Sequence, residues 1–298
     1  MNTAANKIKA TVLSETPDML GESPIWDART GRIYWVDSVS QVIRYNELAS
    51  GSSSSIPVPS MIGSIALAHD GHLVAGLADG IYLVDLETGA CSVIFRPETP
   101  DDRVRFNDGK VDKQGRFVCG TMGVYAESLG EVFRVDTEGR QEKLANGIRI
   151  SNSLCFSPDG GTMYLADSLD RKIRAYAYDS GDEPLSNPRI HVDTAPFSSA
   201  PDGATIDSEG CIWVALVQAG KIARFTPDGT LDRVLAAPSD IPTCVAFGGP
   251  DLDILFVTTI KDSQSGRAVS RHRLAGHLFA IEGLGVTGLE EPRFGMAQ

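Results

Sequence analysis

The segment WDARTGRIYWVD, residues 26–37, decides the fold because its pattern recurs five more times along the chain. Each copy contains an apolar stretch, a polar turn and a second apolar stretch rich in β-branched and aromatic residues. The other copies are LAHDGHLVAG (67–76), VDKQGRFVCGT (111–121), FSPDGGTMYLAD (156–167), IDSEGCIWVA (206–215) and FGGPDLDILFVTT (247–259). The sixth copy has Asp251 where the other five have a turn glycine.

The spacing of these copies identifies the architecture. From Gly31 to Asp251 the turn position advances by about 44 residues per copy, a period typical of propeller blades. A further strand follows each copy, as in VIRYN (42–46) and EVFRVD (131–136), and no segment has a helical period. The repeats therefore predict an all-β, six-bladed β-propeller with four antiparallel strands per blade. We expect residues 1–298 to form this single domain; the alternative is a large β-sandwich with accidental repetition.

The sixth blade needs an outermost strand that the C-terminal stretch GLGVTGLEEPRFGMAQ (283–298) does not fully supply. The N-terminal KIKATVLS (7–14) is β-prone and belongs to no other blade. We therefore expect the N-terminal segment to close the ring.

Composition narrows the possible partners. A net charge of −12 argues against nucleic acid and anionic membranes, both of which bind basic surfaces. The chain has no run of 18 apolar residues and no signal-peptide core, and its five cysteines lack CxxC spacing. Its five histidines form no HxH or HExxH pattern. These features predict a cytoplasmic monomer or homodimer that binds a small molecule.

A ring of polar residues emerges from the repeats. In a propeller the first strand of each blade lines the central channel, so equivalent positions share one depth. Counting eight residues back from the turn position, or nine in the first copy with its longer turn, gives Glu22, Gly63, Asn107, Asn152, Asp202 and Thr243. Glu22 and Asp202 would repel each other in a narrow channel without a cation or a proton. The ring therefore predicts a divalent cation with oxygen ligands; the alternative is ordered water.

The same count, moved two residues toward the N-terminal end of each strand, finds one charged residue, Arg105, among mostly apolar positions. Arginine there could bind the hydroxyl groups or the carboxylate of a small polar ligand. The alternative is a surface arginine paired with a nearby carboxylate, that of Asp101, Asp102 or Asp108.

Four motifs in this chain resemble the senescence marker protein-30 (regucalcin)/gluconolactonase family. They are LGESPIWD (20–27), RFNDGKVDKQGRFVCGTM (105–122), ISNSLCFSPDGGTMYLADS (150–168) and PDGATIDSEGCIWVA (201–215). The motifs occur in the family's order, and the resemblance extends from Leu20 to GLGVTG (283–288). It implies a six-bladed propeller with one catalytic divalent metal, and many members of the family hydrolyse sugar lactones.

The resemblance also implies site residues, and they coincide with the counted ring. The family's metal ligands fall on Glu22, Asn152 and Asp202. Its substrate-binding arginine and asparagine fall on Arg105 and Asn107, and that asparagine binds substrate or contacts the metal through water.

Two positions depart from the family pattern. Ser153 stands where the family has the glycine of its SNG motif. A glutamate that contacts substrate in some animal members is replaced by Tyr125, with Glu127 two residues further on. We predict Tyr125 as a substrate contact, and its replacement of glutamate suggests a substrate that presents different groups.

Together these observations predict a divalent-metal-dependent hydrolase that opens a sugar-acid lactone to the free aldonic acid. Asp202 would serve as the catalytic base that activates water. The metal is one of Ca, Zn, Mg, Mn or Fe(II), because oxygen ligands do not separate them sharply. The chain has no GxSxG motif for a covalent nucleophile. The alternatives are hydrolysis of another ester, such as a phosphotriester, and a calcium-binding or regulatory propeller without turnover.

Overall fold

The computed structural model describes residues 8–69, 71–179 and 183–296, which form 24 β-strands and two 3₁₀ turns, Ser168–Asp170 and Ala195–Phe197. The strands make six four-stranded antiparallel sheets. Within these ranges there is no α-helix, and so none that is long and apolar enough to cross a membrane.

The strands follow the repeats of the sequence. The first, β1 (Lys9–Val12), belongs to the last blade. Blades 1 to 3, each from the channel outward, consist of β2 (Gly21–Asp27), β3 (Arg32–Asp37), β4 (Val42–Glu47), β5 (Ser52–Pro57), β6 (Ile62–Leu67), β7 (His72–Leu77), β8 (Gly80–Asp85), β9 (Cys91–Phe95), β10 (Val104–Val111), β11 (Phe117–Gly123), β12 (Gly130–Val135) and β13 (Gln141–Ile148). Blades 4 to 6 consist of β14 (Ser151–Phe156), β15 (Thr162–Asp167), β16 (Lys172–Tyr178), β17 (Leu185–Asp193), β18 (Pro201–Ile206), β19 (Ile212–Leu216), β20 (Lys221–Phe225), β21 (Leu231–Ala236), β22 (Pro242–Gly248), β23 (Ile254–Thr259) and β24 (Phe279–Glu282).

The ring is closed by the two ends of the blade series. The innermost strands β2, β6, β10, β14, β18 and β22 contact one another in that order, and β22 contacts β2. Strand β1 pairs antiparallel with β24, so that Lys9 lies opposite Glu282 and Val12 opposite Phe279. The predicted six-bladed propeller and its closure by the N-terminal segment are therefore confirmed; Lys7 of the predicted segment lies outside the described residues.

The turn glycines explain why the repeat is visible in the sequence. The five predicted turn glycines have φ between 66° and 78°, a left-handed conformation that side chains disfavour: Gly31, Gly71, Gly115, Gly160 and Gly210. In blade 6 the equivalent left-handed residue is Leu252, with φ of 55°, and the expectation for Asp251 is wrong. The reason is register: Leu252 is the fourth of five residues between the paired Gly248 and Ile254, the place that Gly210 takes in blade 5.

The C-terminal segment, residues 283–296, closes one end of the channel. Its backbone binds turns of several blades, with Gly288 N donating to Leu252 O at 2.7 Å and Gly295 N donating to Gly115 O at 2.8 Å. The guanidinium of Arg293 binds Asp27 of blade 1. The segment therefore covers the end of the channel where the first and second strands of each blade join, and the opposite end gives access to the ring.

Candidate functional site

Every innermost strand carries a β-bulge at the depth of the predicted ring. The ladder to the second strand is interrupted between Glu22 and Ile25, Ile62 and Ser64, Phe106 and Gly109, Asn152 and Cys155, Pro201 and Ala204, and Pro242 and Val245. A bulge breaks the alternation of side chains and redirects them, and bulges are frequent beside active sites. The bulges therefore decide which side chains face the channel.

Two of the ring residues precede their bulge. Glu22 and Asn152 are the last paired residues of their strands, opposite Val36 and Ala166. The residue after each of them is a serine with left-handed backbone, φ being 49° at Ser23 and 54° at Ser153. The hydroxyl group of Ser153 donates to the backbone carbonyl of Asp202 on the neighbouring strand. Although serine replaces the family glycine here, its backbone keeps the conformation that glycine favours.

The other carboxylate and the other amide of the ring lie inside their bulges. Asn107 and Asp202 directly follow Phe106 and Pro201, the last paired residues of β10 and β18. This placement differs by one ladder position from that of Glu22. The count from the turn positions nevertheless found all four residues, although Glu22 and Asn152 are paired with the second strand and the other two are not.

The carboxylates of Glu22 and Asp202 stand in a half-buried, strongly acidic environment. Burial, followed by the charge of Asp202, raises the pKa of Glu22 well above its usual value. Burial, followed by the charge of Asp108, raises the pKa of Asp202 to about 8. Among the described residues no lysine or arginine forms a salt bridge with either carboxylate. At neutral pH this pair of carboxyl groups therefore retains protons unless a cation takes their place.

Asp108 is a third carboxylate in this environment, and the sequence named it only as a possible partner of Arg105. Its Oδ2 accepts a hydrogen bond from the backbone of Leu154 at 2.8 Å. Burial raises its pKa to about 6, and its charge raises the pKa of both Glu22 and Asp202. Its position next to Asn107 was the available signal, but a regular strand would have turned it away from the channel.

The two amide side chains are held by hydrogen bonds. Asn152 Nδ2 donates to Ser168 Oγ at 2.9 Å, which fixes the orientation of the amide and leaves Asn152 Oδ1 as its acceptor. Asn107 Nδ2 donates to this Oδ1 at 2.9 Å and to the carbonyl of Ser151 at 2.8 Å. Asn107 Oδ1 accepts from Arg105 at 2.9 Å. The oxygen of Asn107 is thus directed at Arg105, whereas the oxygen of Asn152 keeps a lone pair for a cation.

Arg105 is held at the ring without a salt bridge. Its Nη1 also donates to the carbonyl of Phe106 at 2.9 Å. Burial lowers its pKa to about 10, an effect opposed by Glu22 and Asp202, so the guanidinium stays charged at neutral pH. The alternative of a surface ion pair is not what the structure shows: Asp101 pairs with Arg103 at 2.6 Å, and no carboxylate in the described ranges forms a salt bridge with Arg105.

Tyr125 is exposed, unlike the other predicted residues. It belongs to the loop between β11 and β12, the residue is 75% exposed, and its backbone nitrogen donates to Glu127 at 2.9 Å. The structure therefore brings together Glu22, Asn152, Asp202 and their neighbours but leaves Tyr125 on the surface.

A second acidic cluster has a different role. Carboxylate and thiol atoms of Asp207, Glu209 and Cys211 lie within 4.8 Å of one another. The guanidinium of Arg224 already lies 2.7 Å from Asp207 and 2.5 Å from Glu209, and Trp213 Nε1 donates to Asp207 at 2.8 Å. Because a buried cation neutralises this cluster, we interpret it as a structural ion pair of blade 5.

Cavity size does not locate the site. A cavity of about 410 Å³ lies at the closed end of the channel, between Lys110, Phe156 and the C-terminal segment. Another, of about 450 Å³, lies between blades 2 and 3 and has Arg105 in its wall. Neither is lined by Glu22 or Asp202, and so the chemistry of the side chains, rather than volume, identifies the candidate site.

The protein is a six-bladed β-propeller with two carboxylates and two amides at one depth of its channel. The profile of the SMP-30/gluconolactonase/LRE-like region matches residues 20–261, and the chain belongs to this family.

Individual relatives agree with this assignment. The chain is 33% identical over 279 residues to 6-deoxy-6-sulfogluconolactonase of Pseudomonas putida, covering 93% of this chain and 96% of the relative. It is 33% identical over 289 residues to pentonolactonase XacC of Haloferax volcanii, covering 95% and 97%. The crystal structure of the calcium-binding protein regucalcin from Agrobacterium tumefaciens superimposes with a TM-score of 0.89 at 31% identity, covering 96% and 97%.

Proposed function

We propose that this protein is a divalent-metal-dependent lactonase that opens a sugar-acid lactone to the free aldonic acid. The observation that carries the proposal is the convergence of Glu22, Asn152 and Asp202 at one depth of the channel, where no lysine or arginine of the described residues forms a salt bridge with either carboxylate. The names of two relatives, 6-deoxy-6-sulfogluconolactonase and pentonolactonase, support the lactone as substrate class.

The side chains at the ring fit a divalent metal. Two carboxylates whose proton affinity is raised by burial and by neighbouring carboxylates are stabilised by a cation more than by any neutral ligand. Asn152 adds a neutral oxygen whose orientation Ser168 fixes. Glu22, Asn152 and Asp202 would hold the ion, and an all-oxygen set accepts Ca, Mg, Mn, Fe(II) or Zn.

The chemistry follows from the positions of the remaining side chains. A bound divalent ion supplies a Lewis acid that polarises the lactone carbonyl. Asp202 takes a proton from the attacking water as the water oxygen bonds to the carbonyl carbon. The bond from that carbon to the ring oxygen then breaks, and the proton passes to the ring oxygen, which gives the hydroxy acid. Arg105 and Asn107 would orient the hydroxyl groups of the sugar.

Proton release from a panel of sugar lactones tests the proposal, because the carboxyl group of the aldonic acid product is fully ionised at neutral pH. Chelated protein is reconstituted with each divalent metal in turn and is offered the lactones and, separately, a phosphotriester. We expect turnover of at least one lactone, dependent on metal. Turnover of the phosphotriester alone, or metal binding without any turnover, would contradict a lactonase.

A further inference from the structure

A hairpin projects from blade 6 at the open end of the channel. Residues 261–273, here called the mouth hairpin, follow β23, and Asp262 pairs with Val269 across it. The backbone nitrogens of Lys261 and Asp262 both donate to the carbonyl of Met19 at 3.0 Å, just before β2. Ser270 Oγ donates to Asp240, in the loop before β22. The hairpin is therefore a fixed part of the channel entrance.

The tip of the mouth hairpin reaches the opposite side of the entrance. Arg267 Nη2 donates to the carbonyl of Val124 at 2.9 Å, in the loop after β11 of blade 3. Blade 3 lies opposite blade 6 in a closed ring of six. The hairpin thus spans the entrance and places Arg267 above the channel.

This position brings Arg267 close to Arg105. Val124 lies two residues beyond Met122, the strand partner of Arg105, which corresponds to about 7 Å along the chain. The positive charge of Arg267 adds to burial in lowering the pKa of Arg105. Neither arginine has a salt bridge to a carboxylate in the part of the chain that the structure describes. Two guanidinium groups without a carboxylate at salt-bridge distance therefore share the entrance, although the charges of Glu22 and Asp202 act on Arg105 from farther away.

The mouth hairpin as a whole is positively charged. The mouth hairpin contains four Lys or Arg residues and one Asp, a net charge of +3 in a chain whose net charge is −12. Like charges held together repel each other, and an anion between them removes that cost. Guanidinium groups bind phosphate, sulfonate and carboxylate groups through paired N–H donors. The entrance is thus suited to an anionic ligand, whereas the ring below is suited to a cation.

We propose that Arg267 and Arg105 form an anion-binding subsite for a charged group on the substrate, remote from the lactone carbonyl. The substrate class is then a lactone that carries an additional sulfonate, phosphate or carboxylate group, rather than a neutral sugar lactone. This inference rests on the proposed lactonase function. Because the mouth hairpin is fixed before substrate arrives, the subsite needs little reorganisation to bind.

Three lactones that differ only at one carbon test the subsite: glucono-1,5-lactone and its 6-phospho and 6-deoxy-6-sulfo derivatives. With the full-length, metal-loaded protein, we expect at least one anionic lactone to have a higher kcat/KM than the neutral one. Arg267→Ala should lower that kcat/KM by about tenfold or more, mainly through KM, with the neutral lactone changed by less than about threefold. Arg267→Lys should retain part of the preference, and added salt should reduce it.

Arg271→Ala is the matched control, because Arg271 is an exposed arginine of the same hairpin and does not contribute to the pKa of Arg105. We expect it to behave as wild type toward all three lactones. A wild-type protein that prefers the neutral lactone would overturn the subsite. An Arg267→Ala variant that lowers kcat/KM equally for all three lactones would overturn it too.

Binding measurements separate failure of the subsite from failure of the proposed function. If no lactone is hydrolysed, the lactonase is contradicted, and calorimetry with the open-chain acids gluconate and 6-phosphogluconate tests the subsite alone. We expect tighter binding of 6-phosphogluconate, lost in Arg267→Ala. Equal affinities for the two acids in the wild-type protein would overturn the subsite.

Discussion

The substitution Asp202→Asn separates the two roles proposed for Asp202, ligand and base. Asparagine has nearly the same shape and keeps one oxygen for a metal, but it cannot accept a proton from water. The backbone carbonyl that accepts from Ser153 is unchanged. Removal of the charge lowers the pKa of Glu22, because the charge of Asp202 is one of the causes that raise it. We therefore expect a folded variant with a weakened but intact metal site.

The expected loss follows from the role of a general base. Such a group contributes about 10²–10⁴-fold, which corresponds to about 3–5 kcal/mol in the activation barrier. We expect kcat of the metal-saturated Asp202→Asn variant to fall by that factor. The assay is proton release from the best lactone, at metal concentrations that fill the site as judged by elemental analysis.

Asn152→Ala is the control, because it removes a ligand oxygen but no base. Its activity should fall at low metal concentration and recover largely with excess metal, whereas that of Asp202→Asn should not recover. If the metal-filled Asp202→Asn protein hydrolyses lactone within a few-fold of wild type, Asp202 is only a ligand.

Three further outcomes are expected. Arg105→Ala should raise KM or lower kcat/KM with little change in melting temperature, because Arg105 has no salt bridge in the described ranges; a large thermal loss with unchanged kinetics would contradict this. Arg224→Ala should lower the free energy of unfolding in urea by about 3–5 kcal/mol and leave metal content unchanged, since buried Asp207 loses its cation. Because the pKa of Asp202 is about 8 without metal, metal binding near neutral pH should release protons, which calorimetry measures. The affinity for the metal should therefore fall as the pH falls below about 8. A metal affinity that does not depend on pH would exclude this coupling.

The fold was predictable because its determinants are local and repeated. Left-handed turn glycines such as Gly115 and Gly160 mark each blade, and strand residues between them are apolar or β-branched. The prediction failed at Asp251, because in blade 6 the left-handed turn position is occupied by Leu252 and not by a glycine.

The candidate site was predictable only in part. Glu22, Asn152 and Asp202 could be found by counting because bulges recur at the same depth in every blade. Asp108 was misjudged because a bulge depends on pairing with the neighbouring strand, which local sequence does not reveal. Arg267 was missed because its hairpin crosses from blade 6 to blade 3, a contact between segments far apart in the chain.

Activity as a function of bound metal tests the central claim most directly. Exhaustively chelated protein, verified as metal-free by elemental analysis, is titrated with one divalent metal while proton release from a lactone is recorded. Metal bound by Glu22, Asn152 and Asp202 predicts no activity at the start and a rise to a plateau at one metal ion per chain. Full activity in the metal-free protein, or a filled site without hydrolysis of any lactone, would contradict a metal-dependent lactonase.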